Sequence, residues 1–365
     1  MKKVLVILLL CPLFSFPCYA EGIDSTEILG DAYRMEEALP QESREIIGKL
    51  KLDGSYDAEG ALQRLWTHFL EQMHLRAKEE YNTVLSLIGL ALLSSMASGL
   101  CTVLPIRETI DRIGCCTAAL LMTDNVNALF SQASDTMFHL SDYSHAALPV
   151  VFTISAASGA IVSAPAKYSA SCLAMDMMIT MAQRVIIPCI YAYLALAISE
   201  SLFGNSILQM LMNLTKWGIT SMLTILTLGF GAYLSLTGLI SGSADALAVK
   251  SARTVIARSL PIVGGILSDS ASVFLSAAAI IRNSAGVFSL IAVCALCLAP
   301  VTLLLVKTMA FKLTSLVVDF QPGSHLTKLL GSMGTVFSML LALIGCCSAM
   351  LLISLASGIR ALMPG

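Results

Sequence analysis

The chain has 365 residues, of which 56% are apolar and 13% charged, and its mean hydropathy is +0.81. A soluble domain carries about 25% charged residues, so this chain has too little polar surface to cover a water-soluble particle of its size. A soluble enzyme and a disordered chain are excluded. With 7% aromatic residues and a formal net charge of −2, it offers no basic face for nucleic acid. What remains is an all-α, polytopic membrane protein.

Met1-Lys2-Lys3 is a short positive start, Val4 to Phe16 an apolar run, and Cys18-Tyr19-Ala20 places small residues at the −3 and −1 positions. This is the pattern of a secretory signal peptide over 1–20, cleaved after Ala20. The alternative is an uncleaved anchor, for which the apolar run is short.

Residues 21–82 then form an acidic, extracytoplasmic segment with 14 acidic and 7 basic residues. Its second half reads as an amphipathic helix that starts near Asp57-Ala-Glu59. Leu62, Leu65, Trp66, Phe69 and Met73 recur at helical spacing with Gln63, Arg64, Glu71 and Lys78 between them. That face is a candidate docking surface for a partner. A helix lying on lipid, or one packed on its own neighbours, is the other reading.

Residues 83–365 form the polytopic membrane domain. Eight candidate segments are expected, at 83–105, 113–130, 147–166, 171–199, 217–240, 260–281, 286–306 and 330–356. Of these, 113–130 and 260–281 carry enough polar residues to be re-entrant. With residue 21 outside, eight crossings place Arg107, Arg112, Lys167, Lys250, Arg253, Arg258, Lys307, Lys312 and Lys328 in the cytoplasm and Lys216, Arg282 and Arg360 outside. The stretch 131–146 reads as an outer loop without Lys or Arg. Leu148-Pro149 matches Leu260-Pro261, and Pro188 matches Pro300, at an offset of 112. Two repeats, 131–241 and 243–358, are expected, each with three segments and therefore inverted relative to one another.

Charges at membrane depth face protein or water. The candidate path-lining residues are Asp124, Asp176, Arg184, Asp269 and Arg282, with Glu200 beside them. The alternative puts these charges in interfacial loops. Small-residue runs such as 155–160 suit a compact bundle or a homo-oligomer. The nine cysteines beyond the signal lie in apolar stretches, and Cys294 and Cys297 read as packing residues despite their C-x-x-C spacing. No metal-ligand spacing, P-loop or nucleophile elbow is present. No catalytic role and no cofactor are expected.

Lys250-Ser-Ala-Arg253, the run from Arg258-Ser-Leu-Pro261 to Asp269, and Arg282-Asn283-Ser-Ala-Gly286 resemble the signature region of the stage III sporulation protein AE family. Leu148-Pro149 with the following Ser-Ala-Ala-Ser-Gly stretch is similar to the family's earlier motif. The resemblance implies a multi-pass subunit of a channel-like, feeding-tube assembly in the mother-cell membrane around the forespore. Its implied partners are membrane lipid, the other subunits from the same operon and, through them, a forespore membrane protein. An autonomous transporter for a small solute is the alternative.

Overall fold

The computed structural model describes residues 34–48, 56–100, 104–157, 160, 163–259, 264–318 and 325–360, with backbone alone at 104–105, 123–125, 237–259, 264–284 and 360. The expected signal peptide lies outside the described residues. Helices α1 (Gln41–Ile47), α2 (Ala58–Leu100), α3 (Leu104–Ala157) and α4 (Ser163–Met181) lead to a π-helical turn (Ala182–Ile186). Helices α5 (Ile187–Phe203), α6 (Ser206–Ser259), α7 (Gly264–Val318) and α8 (His325–Arg360) follow. Every element among the described residues is helical.

Local chemistry sets the breaks. Gly204 takes the left-handed conformation (φ +64°) and its N–H donates to the Glu200 carbonyl at 2.8 Å, ending α5. Asn205 Oδ1 then accepts from the Ile207 N–H at 2.9 Å and caps α6. At the start of α2, Asp57 Oδ1 accepts from the Gly60 N–H at 3.0 Å. Pro188 has no N–H to donate to the Arg184 carbonyl, and the wider π-turn sits directly before it.

Contacts between helices fix their directions. Tyr56, just before α2, packs on Phe288 of α7, while Glu80 further along α2 pairs with Lys307 further along α7. These two helices are therefore parallel. Helix α8 runs against both α7 and α4–α5. Ile359 meets Gly286 and Phe337 meets Phe311 on one side; Ser357 meets Lys167 and Lys328 meets Glu200 on the other. Helix α3 runs from Cys115 beside His325 to Ser155 beside Gly358. The chain thus passes back and forth between one end marked by Tyr56 and another marked by His325.

Among the described residues, five helices are long and apolar enough to cross a membrane, or six if α3 counts as one span bent by 40° between Ile106–Met122 and Val126–Ala157. The chain is a multi-pass membrane protein. Two pairs of expected segments, 113–130 with most of 147–166 and 260–281 with 286–306, are instead single helices, α3 and α7. The run 131–146 misled the reading because its polar residues mark a wet helix face: Asp135, His139, Asp142 and His145 are exposed on a continuous α3. This merger moves Lys167 to the Tyr56 end and Lys216 toward the His325 end, which removes the charge bias counted over eight crossings. The repeat is also corrected. The offset of 112 pairs α4–α5 with α7 and α6 with α8, and the helices of each pair run the same way. A duplication here is parallel, not inverted.

The most apolar helix is the core. The apolar window of α7 is 72% buried inside the protein, against 22% for α6 and 17% for α2. Helices α3, α6 and α7 have 54, 54 and 55 residues. At 1.5 Å per residue each is about 80 Å long, whereas a bilayer with its headgroups is about 40–45 Å thick. Part of the bundle must project. The exterior shows which part. Toward the His325 end, the exposed side chains include Leu85, Leu93, Met96, Leu120, Tyr191 and Leu214. Toward the Tyr56 end they include Glu71, Glu79, Asp135, His139 and Asp142. Lys216 and Lys312 interrupt the apolar half, and their long stems can carry the charge along the surface toward water.

Close helix contact at Gly286 yields a test. A Cβ there would lie 2.5 Å from Ile359 Cγ1, whereas one at Gly89 would meet nothing within 4 Å. Gly286→Leu is expected to lower stability by about 1–3 kcal/mol through overpacking, and Gly89→Ala to leave it unchanged or raise it. Thermal unfolding of the detergent-solubilised protein reads both.

Candidate functional site

Glu80, Leu87, Ala91 and Ser98 are buried on α2 at spacings of seven, four and seven, the stripe a packed helix presents to its neighbour. A carboxylate therefore sits in a core position. Lys307 answers it from α7, between buried Val306 and Thr308. Lys307 Nζ donates to Glu80 Oε1, and the two side chains are only 8% and 9% exposed. Glu80 Oε2 has no hydrogen-bond partner among the described residues. Two charges removed from water this far hold together because neither can re-enter it. Removing one partner of such a pair costs about 3–5 kcal/mol.

Polar clasps close the bundle at both ends. At one end Asp111 Oδ2 accepts the His325 N–H at 3.0 Å, and His325 Nδ1 meets the Ser201 carbonyl. Buried Glu200 is reached by Lys328 at 3.5 Å. At the other end Ser155 Oγ donates to the Gly358 carbonyl at 2.8 Å, and buried Lys167 donates to Ser357 O at 3.4 Å. There Arg64 donates to the Ile46 and Ile47 carbonyls at 3.0 and 3.2 Å, and Tyr56 to Ile47 O at 3.1 Å. These bonds satisfy the last carbonyls of α1 and seat it on α2. Burial pushes the Tyr56 hydroxyl above its ordinary pKa.

Of the expected path-lining residues, Asp176 and Arg184 have described side chains, and these two do not meet. Asp176 is about half exposed and pairs with His145 at 3.0 Å on the outer surface of α3 and α4. Arg184 is exposed on the π-turn. That turn changes the helical register between them, so the two do not form a pair. Asp124 lies on α3, and Asp269 and Arg282 on α7, with their side chains outside the described residues. On α2, Leu62 and Trp66 are 55% and 59% exposed, while Leu65 packs against the core. Phe69 and Met73 are half-buried, and Phe69 stacks on Trp66 at 5.6 Å. The expected face is thus divided: Leu65 faces inward and Leu62 with Trp66 faces out.

Sequence reasoning missed the Glu80–Lys307 pair. It assigned Glu80 to an exported segment and Lys307 to the cytoplasm, and the pair puts both at one level. Two signals were available: the heptad phase Glu80 shares with Leu87, and a lone lysine inside an apolar run. A polar cleft of about 210 Å³ between α1, α2, α3 and α7 is lined by Glu42, His68, Asp135 and His139. Pro300 leaves the Leu296 carbonyl without its helical donor beside that cleft. No group of three metal-ligating side chains occurs among the described residues.

A family model described as stage III sporulation protein AE matches residues 43–361. A relative of that name from Bacillus subtilis (strain 168) is 20% identical over 193 residues, which cover 53% of this chain and 48% of the relative. The chain thus aligns with about half the length of that curated relative. No solved structure matches.

The buried pair makes a quantitative prediction. Lys307→Met should destabilise the protein by about 3–5 kcal/mol, and adding Glu80→Leu should recover most of that loss, because two apolar partners leave no charge stranded. Unfolding midpoints of the four proteins in one detergent measure the cycle.

Proposed function

The chain belongs to the stage III sporulation protein AE family, and from that membership we propose that it is the large polytopic subunit of a channel-like assembly joining mother cell and forespore. It acts in the mother-cell membrane around the engulfed forespore, without catalysis or cofactor and without nucleic acid. Its partners are membrane lipid, the other subunits encoded with it, a second copy of itself and, through them, a forespore membrane protein. The half of the bundle with the charged exterior faces the space between the two membranes.

One observation carries this reading. Leu62, Trp66 and Leu70 stand four residues apart on α2 and are 55%, 59% and 50% exposed. They lie in the half that exposes Glu71, Glu79, Asp135 and Asp142, together with apolar Leu75, Phe138 and Leu173. An apolar stripe in such surroundings marks a protein interface. Because α2 is rooted in the core by Ala61, Leu65 and Glu80, the stripe is held rigidly and loses little entropy on docking. The alternative of an autonomous transporter draws on inverted repeats and on buried charges, Asp269 and Asp176 among them; the parallel helix directions and the exposure of Asp176 lend it no support.

The test leaves the bundle intact. Leu62→Asp with Trp66→Asp should leave the unfolding midpoint within a few degrees of the parent, because both side chains are exposed. It should abolish co-purification with the assembly and lower heat-resistant spore counts at least tenfold. Normal spore counts with partners retained would overturn the docking role.

A further inference from the structure

An apolar groove of about 350 Å³ runs along the outer surface between α2 and α7. Val84 and Ile88 line it from α2, and Met309, Leu313 and Val317 from α7. Met309, Leu313 and Val317 are 58%, 59% and 49% exposed at its mouth. Its polar lining is sparse: Glu80, Tyr81, which is 63% exposed, and Thr314, whose hydroxyl donates to the Ala310 carbonyl. Exposed Lys78 lies three residues before Tyr81, on the adjoining face of α2.

The groove has the polarity and length of a lipid. Beyond Tyr81 the exterior of α2 changes from charged (Glu71, Lys78, Glu79) to apolar (Leu85, Leu92, Leu93, Met96). An exposed tyrosine at such a change is the usual mark of the headgroup level. From Leu305 to Val317 the groove follows twelve residues of α7, about 18 Å, more than half of a hydrocarbon core about 30 Å thick, and on α2 it continues past Glu80 to Ala77 and Met73. We propose that this groove holds one phospholipid of the surrounding bilayer. A hydrocarbon chain lies along Val84, Ile88, Met309 and Leu313, and the phosphate lies at the level of Lys78 and the Tyr81 hydroxyl.

A partner helix is the competing occupant. Lipid is favoured by the exterior of α2, where the change from charged to apolar at Tyr81 suits a polar headgroup above a hydrocarbon chain. A lipid keeps that level next to the hydrated headgroup layer while its chain covers only the apolar stretch.

The test uses the full chain in nanodiscs containing a phospholipid with a photoactivatable group on its acyl chain. Val84→Trp fills the groove and leaves Glu80 and Lys307 in place. Parent protein should crosslink at Met309 to Val317, and Val84→Trp should lower that labelling at least fivefold while labelling near Leu93 is unchanged. Equal labelling of the two proteins, or no labelling in the groove, would overturn the proposal. So would crosslinking of a photoreactive residue at position 84 in cells to a protein partner in place of lipid. Failure here would leave the sporulation assembly reading untouched, since that rests on Leu62 and Trp66.

Discussion

The contact between Glu80 and Lys307 constrains everything around it. It joins positions more than two hundred residues apart and fixes α2 beside α7 in parallel. Two parallel helices in an alternating bundle need an odd number of passes between them, and α3, α4–α5 and α6 supply three. Because each charge has lost its water, the pair cannot slide by a turn without stranding one of them. The register of α2 on α7 follows, and with it the placement of Tyr56 on Phe288 at one end.

That register explains an unusual distribution of apolar character. The stretch of α7 before Lys307 is among the most hydrophobic in the chain, yet it lies beside the polar half of α2 and the histidine-bearing half of α3. It is apolar because protein surrounds it. The helices that face lipid, such as the second half of α2, are less buried within the bundle. Hydropathy records removal from water and cannot tell whether lipid or protein does the removing. The longest helices exceed the bilayer, and the Tyr56 half exposes Glu71, Asp135 and Asp142 together with apolar Leu62, Trp66, Phe138 and Leu173.

Much of this was legible in the sequence. The membrane class follows from the scarcity of charge, whereas the spacing on α2 did not separate outward Leu62 and Trp66 from inward Leu65. The family follows from the motifs around Lys250 to Gly286. The number of crossings was not legible, because a polar run such as 131–146 looks like a loop unless the bundle exceeds the bilayer. The surroundings of Asp176 were misread for a related reason. Asp176 lies in an apolar stretch, but that stretch is partly core, and its carboxylate meets His145 at the surface. Glu80 was hidden by the opposite effect. It sits among Glu79, Lys78 and Arg76, where a single inward position is visible only by its phase with Leu87 and Ala91.

The sporulation family and the structure meet in one unit: a multi-pass helical bundle whose longest helices exceed the bilayer. The pair that aligns α2 with α7 holds the two halves in one unit. Exchanging its charges tests this directly in sporulating cells. Glu80→Lys and Lys307→Glu, made singly, should each abolish accumulation of the protein and formation of heat-resistant spores, and the double exchange should restore both substantially. Two tolerated single exchanges, or a double exchange no better than the worse single one, would contradict the account.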